Sequence, residues 1–141
     1  MMRTTVGLAA AMILACAGTA SARVEHFATK LVGSSEVPPN DTKGTGKVEA
    51  TLDTATKTFR YKVTYGGLTG PASMAHFHGP AAPGVNAPPV IVVKDLASPM
   101  QGVAVLTDAQ IADLEAGNWY FNIHTTAHPG GEIRGQLAPG K

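Results

Sequence analysis

The sequence predicts an all-β fold, an antiparallel sandwich or barrel carrying one short helix. Three observations predict it. Short runs alternate between apolar and polar residues, the period-two signature of a half-buried strand. Pro- and Gly-rich breaks separate these runs at the spacing of a many-stranded domain, and 16 Gly and 10 Pro are distributed among 141 residues. Charged residues make up only 15% of the chain, too few for a disordered, self-repelling segment. The length fits a single domain.

The first segment reads as an address. Arg3 supplies a positive start, residues 6–17 are apolar and uncharged, and Ala20-Ser21-Ala22 is a small-x-small cleavage site. Residues 1–22 are therefore expected to be a signal peptide and residues 23–141 a single domain, exported to the periplasm or secreted. The apolar stretch is shorter than the ~20 residues a transmembrane helix needs, so no transmembrane anchor is expected once the signal is removed. Ile13-Leu14-Ala15-Cys16 is an imperfect lipoprotein box, with Leu14 where a small residue is usual, and lipidation at Cys16 is the alternative address. Processing removes Arg3 and Cys16, leaving ten basic and ten acidic residues and no cysteine. A disulfide, a thiolate metal site and a cysteine nucleophile are then all excluded. With no clustered cationic face, nucleic-acid binding is not expected.

The strand candidates follow in order, beginning with 25–32. Lys47–Leu52 puts Val48, Ala50 and Leu52 on one face, and Thr58–Tyr65 puts Phe59, Tyr61, Val63 and Tyr65 on one face with Arg60, Lys62 and Thr64 opposite. Residues 53–57 form a hairpin-length connection between them. Further candidates are 73–78, 90–94, 102–106, 119–125 and 132–137. One segment departs from the pattern. Thr107-Asp108-Ala109-Gln110 has the form of a capping box, Ile111 and Leu114 share a helical face, and Gly117 suits the position after a helix, which predicts a helix over 108–116.

The chemistry lies in the five histidines. His76 and His78 form a His-x-His pair on a strand, so both rings point the same way and can share one ion. In the strand at 119–125, Trp119, Phe121 and Ile123 share one face while Tyr120, Asn122 and His124 share the other. His128 follows in a Gly- and Pro-rich loop, and His26 has no obvious partner. Three or four imidazoles from two strands make an all-nitrogen mononuclear set, which suits copper first and zinc second. The plainer reading is that the histidines only hydrogen-bond, and that His128 is a solvated loop residue. Glu132 and Arg134 share a strand face and are expected to form an ordinary exposed ion pair; in the functional reading, Arg134 attracts an anion toward the metal. Glu36 is expected to cap a turn or contact another strand. No Ser/His/Asp arrangement, catalytic carboxylate pair or phosphate-binding glycine loop is evident.

Four stretches together resemble the CHRD (chordin-type) domain: Leu31-Val32-Gly33-Ser34-Ser35-Glu36-Val37-Pro38-Pro39; Ala75-His76-Phe77-His78-Gly79-Pro80-Ala81; residues 117–125; and Pro129-Gly130-Gly131-Glu132-Ile133-Arg134-Gly135-Gln136-Leu137. They stand in family order across about residues 26–138. The resemblance implies an immunoglobulin-like, Greek-key β-sandwich of the kind found in exported bacterial proteins and, as repeats, in animal chordin. The order His76, His78, His124, Arg134 is also similar to the copper site of copper/zinc superoxide dismutase. That similarity implies His76, His78 and His124 as copper ligands and Arg134 as the guide for superoxide. No His or Asp lies between Gly79 and Pro89, so the zinc-binding loop is missing, and what the similarity implies is a copper-only site with His128 as a candidate fourth imidazole.

Two alternatives stand beside a dismutase-like metal protein. One is a non-catalytic extracellular interaction module with structural histidines and an unidentified protein partner. The other is copper storage or delivery, with Met74 and Met100 as soft ligands for Cu(I). Met74 shares the face of His76 and His78, but a methionine on a strand is expected to belong to the core.

Overall fold

The computed structural model describes residues 21–140. The predicted signal segment up to residue 20, with Cys16, lies outside the described residues. The elements are β1 (Val24–Val32), β2 (Thr45–Asp53), β3 (Thr58–Gly66), β4 (Ala72–His78), β5 (Pro89–Val92), β6 (Met100–Val105), α1 (Asp108–Glu115), β7 (Tyr120–Thr125), β8 (Ile133–Gln136) and β9 (Ala138–Pro139). Every strand expected from alternation is present within a few residues. The short β9 and a 3-10 turn over Gly33–Ser35 are additional.

The strands hydrogen-bond in the order β5-β4-β7-β8-β1-β2-β3-β6, all antiparallel, with β9 added alongside β1. β8 meets β1 through the single pair Val32–Arg134, so the sheet divides into two halves, β5-β4-β7-β8 and β1-β2-β3-β6. The halves face each other. Phe59 on β3 sets its ring 5.3 Å from Phe77 on β4 and 5.7 Å from Trp119, both edge-on, although these strands lie far apart in the sheet order. The apolar alternates of both halves meet in one core: Phe27, Leu31, Val48, Leu52, Phe59 and Val63 from one, Ala75, Phe77, Phe121, Ile123 and Ile133 from the other. Full burial of each large side chain contributes about 1.5–3 kcal/mol.

The helix follows its sequence cues. Gln110 N–H donates to Thr107 Oγ1 (3.2 Å), and Thr107 N–H donates back to Gln110 Oε1 (2.9 Å). Gly117 adopts φ +74° just past the end, the left-handed conformation that glycine accepts without cost. Leu114 is buried and Ile111 packs on the core.

The other face of the β4-β7-β8 half is where expectation and structure part. Period-two alternation predicted one buried and one solvated face for these strands. Instead every residue of β7 is buried. Segments 33–42 and 80–87 lie over the polar face and are pinned there by hydrogen bonds. Asn40 Nδ2 donates to the Glu132 carbonyl (3.0 Å), and Gln136 Nε2 donates to the Ala81 carbonyl (2.7 Å). The exposed Glu132–Arg134 ion pair expected from sequence does not form. Glu132 is 0% exposed and Arg134 2%. The Glu132 carboxylate accepts from Thr42 Oγ1 (3.2 Å), Thr69 N–H (3.0 Å) and Thr69 Oγ1 (2.5 Å). Arg134 turns instead to the 80–87 segment.

Candidate metal centre

The site is built on the polar face of the β4-β7-β8 half. Antiparallel register places Met74 opposite His124, His76 opposite Asn122 and His78 opposite Tyr120. Directly paired residues share a face, so three imidazoles from two adjacent strands are brought together. One ring nitrogen of each of His76, His78 and His124 lies within 4.8 Å of the others, as the sequence spacing predicted. The rings of His78 and His124 centre 5.3 Å and 5.2 Å from that of His76. All three are close to buried, and the ring of His78 stacks flat on Tyr120 at 4.6 Å.

Backbone carbonyls decide which nitrogens are free. His124 Nδ1 lies 2.9 Å from the Pro129 carbonyl and His78 Nδ1 lies 2.8 Å from the Ala87 carbonyl. A carbonyl only accepts, so each Nδ1 carries the proton and donates it. In the neutral rings this leaves Nε2 as the lone pair. Fixing the tautomer through a carbonyl on the far nitrogen is how metal-ligating histidines are usually oriented. His124 Nε2 faces His76 Nδ1 at 3.3 Å. His78 Nε2 lies 2.9 Å from the Asn122 side-chain amide at Oδ1. With the His78 ring neutral, that amide must turn its nitrogen toward Nε2; with the ring charged, both ring nitrogens donate.

Burial holds the His76 ring below the ordinary imidazole range, and the neighbouring His124 and His78 push it further down. Burial also lowers His78, against the opposing pull of its contacts with Ala87 and Asn122. Both shifts favour the neutral, lone-pair form that ligates metals.

The donor set fits a transition metal. It is all imidazole, the His124 ring is held by the Pro129 carbonyl in the tautomer that leaves Nε2 as the lone pair, and the spacing of the closest pair is suitable; on His78 the Asn122 amide occupies Nε2 and has to move aside for an ion. Two nitrogens bound tetrahedrally to one ion at about 2.0–2.1 Å stand about 3.3–3.4 Å apart, whereas a square-planar pair stands closer when adjacent and farther when opposite. His76 Nδ1 and His124 Nε2 match the tetrahedral spacing.

Two expected site residues are engaged with other partners. His128 does not join the three converging rings. Its loop closes on itself, Thr125 N–H to the His128 carbonyl (3.3 Å) and His128 N–H to the Thr125 carbonyl (3.1 Å), and its Nε2 lies 3.6 Å from Glu132 Oε1. Arg134, expected to draw an anion toward the metal, is buried with both terminal nitrogens engaged. Nη1 donates to Asn86 Oδ1 (2.8 Å), Nη2 donates to the Val85 carbonyl (2.6 Å), and the guanidinium carbon sits 3.5 Å from the centre of the Tyr120 ring. It fastens the covering segment to the sheet.

Glu36 contacts another strand, one of the two roles expected for it. It is buried, and burial pushes its carboxyl up to about 7, against the lowering effect of the Arg134 charge and of a hydrogen bond from Asn122. The sequence reading missed Asn122, Tyr120 and the Ala87 and Pro129 carbonyls as parts of the site. The alternation that put Tyr120 and Asn122 beside His124 was the available signal; the carbonyls had none.

Searches of curated proteins and of solved structures return no significant match to this chain. The family model described as the CHRD domain matches residues 27–137, which takes in all three converging histidines and the strands from Phe27 of β1 through β8. The chain belongs to the CHRD domain family.

Proposed function

We propose that this chain is an exported CHRD domain that holds one transition-metal ion, copper ahead of zinc, through His76, His78 and His124. The observation that carries the reading is the convergence of three nearly buried imidazoles, two of them anchored through Nδ1 on backbone carbonyls. Copper stands first because an all-nitrogen set binds it more tightly than zinc; the tetrahedral spacing of the closest pair keeps zinc as the second candidate.

The chain's own residues prepare the site. The Pro129 and Ala87 carbonyls hold the ring protons away from the centre. Tyr120 fixes the plane of His78, and Arg134 holds both Tyr120 and the 85–86 segment in place. A bound copper ion supplies one-electron redox chemistry, the kind that superoxide dismutation uses. With Arg134 committed to the fold, the geometry supports metal holding ahead of anion turnover.

Metal analysis of the protein after exposure to copper and to zinc tests the reading, with His76→Ala/His78→Ala as the comparison. About one ion per chain is expected in the parent protein, with most of it lost in the double variant. Less than about a tenth of an ion per chain, unchanged by the substitutions, would sink the proposal. It would leave the imidazoles as hydrogen-bonding struts of an interaction module. A superoxide assay on the copper-loaded protein then separates an enzyme from a carrier.

A further inference from the structure

Met74 stands two residues before His76 on β4 and directly opposite His124 in the β4–β7 register. It therefore shares the face of the three imidazoles. The expectation that it belongs to the core is not met: Met74 is 46% exposed, whereas Met100 is 0% exposed and sits in the core. The residues that β4 contributes to the core are Ala75 and Phe77, on its other face. A flexible thioether thus borders the histidine cluster and has no core to fill.

Two further observations and one chemical principle converge on it. The converging set of His, Cys, Asp and Glu among the described residues numbers three, one short of a four-ligand tetrahedral set. His128, the fourth ligand expected from sequence, is turned to Glu132. A thioether is a soft ligand, and soft ligands select Cu(I). From this juxtaposition we infer that Met74 is the fourth ligand of the site and that the ion it selects is Cu(I), in a three-imidazole, one-thioether set. The inference rests on the metal-binding reading above and deepens it, because it names the oxidation state and therefore a carrier or store for reduced copper.

The test compares the full protein with Met74→Leu, which keeps an apolar side chain of similar size, and with Met100→Leu as a control for loss of a methionine elsewhere. Cu(I) affinity is measured by competition with a Cu(I)-selective chelator, Zn(II) affinity by competition with a zinc indicator, and the copper ligands by X-ray absorption. The parent protein loaded with Cu(I) is expected to show one sulfur neighbour at about 2.3 Å. Met74→Leu should lose that neighbour and bind Cu(I) more weakly by a factor on the order of ten or more, with Zn(II) affinity nearly unchanged. Met100→Leu should keep the sulfur neighbour. A Cu(I) protein with only nitrogen neighbours, or a Met74→Leu variant with parental Cu(I) affinity, overturns the inference while leaving the three-histidine site standing. A parent protein that takes up neither ion overturns both.

Discussion

Glu36 shows how one buried side chain sets a pH response. Its carboxyl moves from 4.5 to about 7, chiefly through burial. Because the folded chain then binds the proton more tightly than the unfolded chain, stability from this group is complete below about pH 4.5. It is lost as pH rises through about 7, to a total of about 3 kcal/mol. The lowered imidazoles of His76 and His78 act in the opposite sense, giving stability that is present above their unfolded value of 6.5 and lost as pH falls below it. A comparison with Glu36→Gln isolates the first effect. In urea unfolding, the difference between variant and parent should grow in the variant's favour by about 2–3 kcal/mol between pH 4.5 and pH 8. Parallel pH profiles would refute it. Arg134 offers a second residue-scale prediction. Lysine keeps the charge but cannot supply two fixed donors while lying flat on Tyr120. Arg134→Lys should therefore cost about 2 kcal/mol in unfolding and speed amide exchange in the segment around Val85 and Asn86. An unchanged midpoint and exchange rate would return Arg134 to a role outside the fold.

At the level of the element, legibility depended on what covered each face. In β2 and β3 the outer face meets water, so Val48, Ala50 and Leu52, and Phe59, Tyr61 and Val63, announce the buried face by simple alternation, and the strands stand where expected. In β7 and β8 the polar face is covered by segments arriving from residues 33–42 and 80–87. Nothing local to Asn122 or Glu132 records that covering. The same limit explains the two histidines of the second motif. His124 was placed by strand period, whereas the direction of His128 depends on a loop closing on itself. Gly131 is the hinge of that loop, with φ +127°, and a Cβ there would overlap the Glu36 carboxylate. Gly131→Ala is therefore expected to cost about 2–4 kcal/mol, part from backbone strain and part from displacing Glu36. The second part can be measured. In a double-mutant cycle, Gly131→Ala should cost about 1 kcal/mol less or better in a Glu36→Ala background. Strict additivity would mean that the glycine answers to its backbone alone.

Across the whole molecule, the histidine cluster lies entirely in one half of the sandwich, on β4 and β7, while the two halves share a single β1–β8 residue pair in the sheet. An ion bound there would stabilise only its own half if the halves unfolded separately. The core argues that they do not. Phe59 and Tyr61 from β3 pack edge-on against Phe77 of β4 at 5.3 Å and 4.9 Å, and Trp119, at the entry to β7, closes the same aromatic cluster. Pulling β4 and β7 away exposes the apolar side of β2 and β3, so loss of either half removes the burial that holds the other. Metal binding at the histidines should then protect the entire domain. An ion at a hundred times its dissociation constant stabilises the folded state by about 2.7 kcal/mol, which for a domain of this size raises the melting temperature by about 10 °C. Calorimetry of the protein with and without copper should give a single transition in both cases. The shift should be reversed by a chelator and abolished in His76→Ala/His78→Ala. Two transitions, with only one moved by metal, would show that the aromatic bridge does not couple the halves.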